Sequence, residues 1–308
     1  LRDGRSLVIK KSAKDTKTLN ESSETALSIE ALLARIAAAL DRLAPPPPAP
    51  PRFDDARLFR FDAERGVFTA APDFRLQLDL LLGVDRQKAR LVETLRRFAA
   101  DLPFNNVLLW GARGTGKSSL LKAAVMHLGE THPALKLVEI DREAIDALPR
   151  LFDQLRDRAE RFVVLCDDLS FEEGAAAAKS LKSALEGGVA GPPGNVVFVA
   201  TSNRRHLMPR GHSEGDGPLA AAEDAEEMVS ASDRFGLWIG FPPMDQPTYL
   251  AAVAAYVDRF GLKSGGLEGE GLERRALQWA QLRGGRSGRV AFQFVRDLAG
   301  EQGRRLPL

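Results

Sequence analysis

Apolar residues fall along this chain in two patterns. Between residues 106 and 241 they gather in five short runs, Asn106–Trp110, Lys136–Ile140, Phe162–Cys166, Val196–Ala200 and Leu237–Phe241. Runs of this length, rich in β-branched and aromatic types and lacking polar alternation, predict strands buried on both faces. Stretches that read as helix separate them, near 117–128, 143–159, 174–186 and 219–232, and another helix leads up to about Ala100. Strands alternating with helices predict a parallel sheet covered on both sides, with its ligand at the carboxyl ends of the strands. Residues 53–75 are mixed and read as an extension, a short hairpin lying against the main unit. That unit is expected over 76–243. Beyond Pro242-Pro243 the pattern turns wholly helical, at about 246–260, 271–282 and 287–300, which predicts a small helical domain over 244–308.

The beginning of the chain is organised differently. Residues 1–25 are polar with little periodicity and read as a mobile tail. Over 26–44, Ile29, Leu33, Ile36, Leu40 and Leu43 recur at steps of four and three, which is helical spacing. Pro45-Pro46-Pro47-Pro48-Ala49-Pro50-Pro51 then forbids helix and sheet. Over 45–52 this predicts a polyproline spacer of about 20 Å, at roughly 3.1 Å per residue. A helix on a stiff stalk suggests docking to a partner; packing against its own domain is the competing reading.

Composition adds mostly exclusions. The 308 residues are 44% hydrophobic and 28% charged with a formal net charge of +1, ordinary for a globular chain. Near-neutrality gives no case for a broadly basic nucleic-acid surface and leaves room only for a local patch. The single cysteine, Cys166, lies in an apolar run and reads as a core thiol. No apolar run approaches the roughly 20 residues that span a bilayer. With a polar start and no signal-peptide hydrophobic region, the expected location is cytoplasmic, although the opening Leu leaves the true terminus open.

The first strand runs into Gly111-Ala112-Arg113-Gly114-Thr115-Gly116-Lys117-Ser118, followed by Ser119 and a run of helix formers. Strand, glycine loop and helix is the context that gives the spacing G-x-x-x-x-G-K-[ST] its meaning. Glycines let consecutive backbone N–H groups wrap a phosphate, and the helix start adds its dipole. Lys117 would reach the β- and γ-phosphates of a bound nucleotide, and Ser118 would ligate Mg²⁺.

The strand 162–166 ends in Asp167-Asp168, the Walker B arrangement. Asp167 would hold the metal and Asp168 would orient or activate the attacking water; a solvated turn or a helix cap is the alternative. The next strand ends in Ala200-Thr201-Ser202-Asn203. Asn203 would then stand between the two earlier strand ends, as a sensor of water or γ-phosphate, or simply as a turn residue.

These features together resemble the AAA+ ATPases over about residues 76–308. Closer still, Asn105–Gly111, Cys166–Phe171, Thr201–Pro209 and Ser232–Trp238 are similar to an uncharacterised bacterial AAA+ family, domain of unknown function 815. The resemblance implies a P-loop NTPase fold, a three-layer αβα parallel sheet followed by a small all-α lid, with ATP and Mg²⁺ as ligands. It implies hydrolysis of ATP, and slow turnover is expected because Asp168 stands where AAA+ proteins usually carry a longer Glu. Arg234, in Asp233-Arg234-Phe235-Gly236, matches the segment where many AAA+ proteins place an arginine finger. It would act across subunits of a homo-oligomer, worth roughly 10³–10⁵ in rate, unless it forms a salt bridge within its own subunit, with an acid at 223–227. Arg289, before Arg286, matches the sensor-2 arginine of the lid. Val84 and Asp85 match the adenine-side element.

Residues 204–229 place Arg204, Arg205, His206, Arg210 and His212 before a run of acids, a subunit contact or a solvated loop. The histidines lack metal spacing. Trp279, Phe292 and Phe294 read as lid core. A protein partner is expected but unidentified, and a nucleic-acid partner rests only on resemblance to clamp-loader and branch-migration relatives.

Overall fold

A computed structural model describes residues 29–40, 42, 52–169, 175–186, 191–203, 232–262 and 270–306. The expected tail over 1–25, the prolines from Pro45 to Pro51, most of the helix read at 219–232 and the segment 204–229 lie outside the described residues. Residues 29–40 and 42 are helical and form part of a unit of their own.

In the second unit, β1 (Leu58–Asp62), β2 (Val67–Ala71), β3 (Val107–Gly111), β4 (Leu135–Ile140), β5 (Arg161–Cys166), β6 (Val196–Ser202) and β7 (Leu237–Phe241) form one sheet. Its order is β2-β1-β4-β5-β6-β3-β7. All neighbours are parallel except the β1–β2 hairpin. The five central strands correspond to the apolar runs. The sequence 53–75 does more than lie against them, because β1 pairs in parallel with β4 and extends the sheet. Without that pairing β4, a wholly apolar strand but for Lys136 and Glu139, would expose an open edge.

Alternation along each strand divides the core in two. Phe162, Val164 and Cys166 of β5 face one way, with Val138, Phe198 and Ala200. Val163 and Leu165 face the other, with Leu137, Val197 and Val199. The second side is covered by α1 (Asp85–Ala99) and α2 (Lys117–Leu128). The first is covered by a 3₁₀ segment (Arg142–Ala147), α3 (Leu148–Leu155) and α4 (Ala175–Glu186). The single helix expected over 143–159 is therefore broken. Pro149, in the first turn of α3, cannot donate to a preceding turn, so the 3₁₀ segment stops and a new helix begins. At the far end Arg156 leaves the helical region with ψ 149° and Asp157 takes φ +60°, which closes α3 early.

The carboxyl-terminal helices α5 (Gln246–Arg259), α6 (Glu270–Leu282) and α7 (Gly288–Glu301) surround a third apolar cluster that includes Tyr249, Tyr256, Phe294 and Val295. Asp245 caps α5 by accepting from the Thr248 N–H at 2.9 Å, and Ser287 caps α7 through Val290. Among the described residues no helix is long and apolar enough to cross a membrane.

Phe53 locks the amino-terminal extension to the sheet through edge contacts with Phe59, Phe68 and Phe162, their centroids 4.9, 5.1 and 4.7 Å away. Phe53→Ala should cost about 3–5 kcal/mol of unfolding free energy, the usual loss for a buried phenylalanine. Urea denaturation would measure it as a lowered midpoint with an unchanged slope.

Candidate functional site

The sheet order places β6 between β5 and β3, so the glycine loop, Asp167-Asp168 and Asn203 leave three adjacent strands at the same end. Gly111 ends β3 with φ +145°, and a Cβ there would stand 2.5 Å from the Phe241 carbonyl oxygen of β7. Only glycine lets the chain leave the sheet at that point. The loop then turns into α2, whose first residue is Lys117.

Lys117 is 7% exposed. Its ammonium donates to the carbonyls of Gly111 at 2.7 Å and Ala112 at 3.0 Å, and to Asn203 Oδ1 at 3.2 Å. Burial holds its pKa below the usual lysine value; Asp167 and Asp168 oppose that shift, while Arg289 and Arg113 add to it. The Asn203 amide completes a bridge, since its nitrogen donates to Asp168 Oδ1. Asn203 therefore couples the lysine to the second acid.

Asp167 Oδ1 accepts two hydroxyls, from Ser118 and from Thr201, each at 2.5 Å. Thr201 Oγ1 also accepts from the Asp168 backbone N–H at 2.9 Å, and the Thr201 carbonyl accepts from the Leu169 N–H at 2.8 Å. Asp168 itself sits at φ +56°, a strained position for a non-glycine residue. Its Oδ2 lies 3.5 Å from Arg113 Nη2 and 3.8 Å from Arg142 Nη1. One carboxylate is thus held by hydroxyls and the other by an amide and two guanidinium groups.

These residues open on a cavity of about 870 Å³, ample for a nucleotide. One wall is Gly114, Gly116, Lys117, Ser118, Ser119, Asp167, Asp168 and Asn203. The opposite wall comes from the lid and the amino-terminal segment: Tyr256, Arg259, Phe260, Arg289 and Phe292, with Pro72–Leu76, Leu80 and Leu81. Lid and loop touch directly, the Arg289 N–H approaching the Gly114 carbonyl at 3.4 Å. Gly114 has φ +77°, and a Cβ on it would fall 2.7 Å from Ser287 Oγ.

The cradle suits a magnesium nucleotide on its own chemistry. A loop of backbone amides, a buried ammonium and a hard-oxygen pair, Ser118 Oγ and Asp167, face one cavity. No group of three or more His, Cys, Asp or Glu side chains suited to a metal occurs among the described residues.

Most of the residues singled out from the sequence meet here; some do not. Arg289 lines the cavity and Arg286 does not. Val84 and Asp85 are not among its walls. After Gly83 turns the chain at φ +73°, Val84 is buried against the core and Asp85 points outward to pair with Lys88 at 3.3 Å. Arg234 is not among the residues lining the cavity and pairs with Glu186, the last residue of α4; the acids at 223–227 lie outside the described residues. Phe294 belongs to the lid core and Trp279 and Phe292 pack against it, and Phe292 also lines the cavity. Thr201 escaped notice, though strand alternation puts it on the same side as Asn203. Arg142 and the segment 72–76 carried no sequence signal.

A family model described as a protein of unknown function, DUF815, matches residues 54–302. The chain belongs to the DUF815 family. Its fold is that of the AAA+ ATPases: the Orc1 protein of Aeropyrum pernix, solved in complex with DNA, is similar at a TM-score of 0.53 and 17% identity. That alignment covers 73% of this chain and 62% of the Orc1 chain, so the DUF815 chain spans about three-fifths of that structure's length. The RuvB Holliday junction branch migration motor of Thermotoga maritima aligns at 0.45 and 13%, covering 76% and 85% of the two chains. Domain III of the replication initiation protein DnaA, also from T. maritima, aligns at 0.44 and 16%, covering 74% and 98%. No curated protein matches.

Thr201→Val keeps the shape and removes the hydroxyl that joins both acids. It strands the Asp168 N–H, so unfolding without nucleotide should become easier by about 1–3 kcal/mol, read by denaturant titration. An unchanged midpoint would remove Thr201 from the framework of the site.

Proposed function

We propose that this DUF815 protein is a magnesium-dependent ATPase of slow turnover, working in a homo-oligomer on a macromolecular partner. The observation that supports it is the convergence of a glycine loop, Lys117, paired acids and Asn203 on one cavity shared with a helical lid. In this reading the amides of 111–118 bind the phosphates, and Lys117 exchanges its contacts with the Gly111 and Ala112 carbonyls for phosphate oxygens. Ser118 and Asp167 would hold Mg²⁺, which when bound neutralises phosphate charge. Asp168 accepts a proton from water as the water oxygen bonds to the γ-phosphorus and the bond to the bridging oxygen of ADP breaks. Asn203 orients that water. Arg289 carries the state of the phosphates to the lid, and Arg234, released from Glu186, reaches the site of a neighbouring copy. The base lies on the side of Pro72–Leu76 and Phe292.

Slow turnover follows from the way Asp168 is held. It is a methylene shorter than glutamate, and its carboxylate is engaged by Asn203, Arg113 and Arg142. The same observation favours a second reading, a nucleotide-dependent switch that binds ATP and barely hydrolyses it. Steady-state phosphate release separates the two: release above background that Lys117→Ala abolishes supports the ATPase, and wild-type release equal to that of Lys117→Ala supports the switch. Asp168→Asn should lose hydrolysis and retain ATP binding; undiminished hydrolysis would take Asp168 out of the mechanism.

The depressed pKa of Lys117 gives the pH dependence a sign. Phosphate favours the ammonium form, so affinity for ATP should be level below the folded-state pKa. It should decline as pH rises through that value, which lies below the ordinary lysine value, and titration calorimetry in alkaline buffers would follow it. For Arg234→Ala, sizing with a non-hydrolysable ATP analogue should show retained assembly and turnover lowered by roughly 10³ or more, the scale of an arginine finger. Full turnover would leave Arg234 as a structural partner of Glu186.

A further inference from the structure

At the end of α5, Tyr256, Arg259 and Phe260 follow one another at helical spacing, and all three line the cavity, as does Phe292 of α7. Their rings form one cluster. Tyr256 lies nearly parallel to Phe260 with centroids 6.3 Å apart, and edge-on to Phe292 at 5.5 Å. Gly288 and Arg289, at the start of α7, lie against Gly114 of the glycine loop. Phe292 is one turn further along that helix, so the cluster stands about a turn away from the phosphate cradle.

Tyr256 is the odd member of the cluster. It is 3% exposed, yet its hydroxyl makes no hydrogen bond among the described residues. The hydroxyl of Tyr249, buried on the same helix, donates to the Ala276 carbonyl at 2.9 Å. An enclosed hydroxyl without a partner is unfavourable, and phenylalanine would fill the same space without that cost. Something that enters the cavity would explain the group. Burial holds its pKa above the usual tyrosine value, so it stays a neutral hydroxyl that can donate and accept.

With a nucleotide in the cradle, as proposed above, the ring cluster is where a flat base would stack. The polar groups beside it decide which base. Arg75 and Arg259 only donate, and Asp73, the one carboxylate on this side of the cavity, belongs to an exposed residue. A guanine edge brings two adjacent donors, N1–H and the 2-amino group, and this wall encloses no acceptor for the second. Adenine brings one amino group, for which one hydroxyl is enough.

We infer that Tyr256 sets the base specificity of the site, its hydroxyl accepting from the 6-amino group of adenine while Phe292 stacks on the ring. The inference rests on the nucleotide reading and adds a preference that the cradle cannot supply, because the cradle meets only phosphates.

Titration calorimetry of the full chain with Mg²⁺ tests it with four ligands. These are ATP, GTP, inorganic tripolyphosphate, and purine riboside triphosphate, in which hydrogen replaces the 6-amino group. Wild type should bind ATP about five- to tenfold more tightly than purine riboside triphosphate, the scale of one neutral hydrogen bond. Tyr256→Phe should erase that difference by weakening ATP alone, with tripolyphosphate unchanged. Without ligand, Tyr256→Phe should melt no lower than wild type, since it loses no bond, whereas Tyr249→Phe should melt lower. Unchanged ATP affinity in Tyr256→Phe, an equal loss for all four ligands, or GTP bound more tightly than ATP overturns the inference. The two readings fail separately. A wild type that binds neither ATP nor tripolyphosphate removes both, and one that binds them without regard to the amino group removes only the role of Tyr256.

Discussion

A single carboxylate oxygen, Oδ1 of Asp167, receives the hydroxyls of Ser118 and Thr201. Those three residues belong to the end of β5, the start of α2 and the end of β6, so one acceptor ties together three elements far apart in sequence. Thr201 extends the tie by accepting the Asp168 N–H, which holds the second acid in its left-handed conformation. Strain of that kind persists only where the surroundings over-determine it, and here a hydroxyl and an amide side chain do so. The order of the sheet makes the arrangement available, since β6 brings Thr201 and Asn203 between β5 and β3.

From this anchor the charges of the site sort into two groups. Lys117 is enclosed and satisfied by carbonyls, so its ammonium can change partners without ever being left bare. Arg113 and Arg142 stand on the other side of Asp168, from the glycine loop and from the segment after β4. Asn203 joins the groups, with its oxygen toward the lysine and its nitrogen toward the acid. A displacement of Lys117 would be felt at Asp168 through one side chain.

The lid meets this assembly at the start of α7. Ser287 caps the helix, Gly288 and Arg289 lie against Gly114, and glycine at 114 is what leaves room for the Ser287 side chain. The same helix start contacts the glycine loop and lines the cavity with Arg289, so lid and loop are joined at one point. Phe292, one turn further along, brings an aromatic ring to the cavity from the same helix.

Much of this was legible in the residues. The five apolar runs marked the central strands because strands buried on both faces need unbroken apolar sequence, and the glycine loop marked the turn from β3 into α2 because its spacing depends on local backbone geometry. The break at Pro149 was also local, but the helical periodicity on either side masked it. The joining of β1 to β4, the role of Thr201, the approach of Arg142 to Asp168, the exclusion of Val84 and Asp85 from the cavity and the pairing of Arg234 with Glu186 were decided only by tertiary structure. Each is a contact between positions far apart in the chain, governed by which strand lies beside which and where a turn aims the next side chain. Local pattern determines what a segment can become; the packing of segments against one another determines which of its side chains meet.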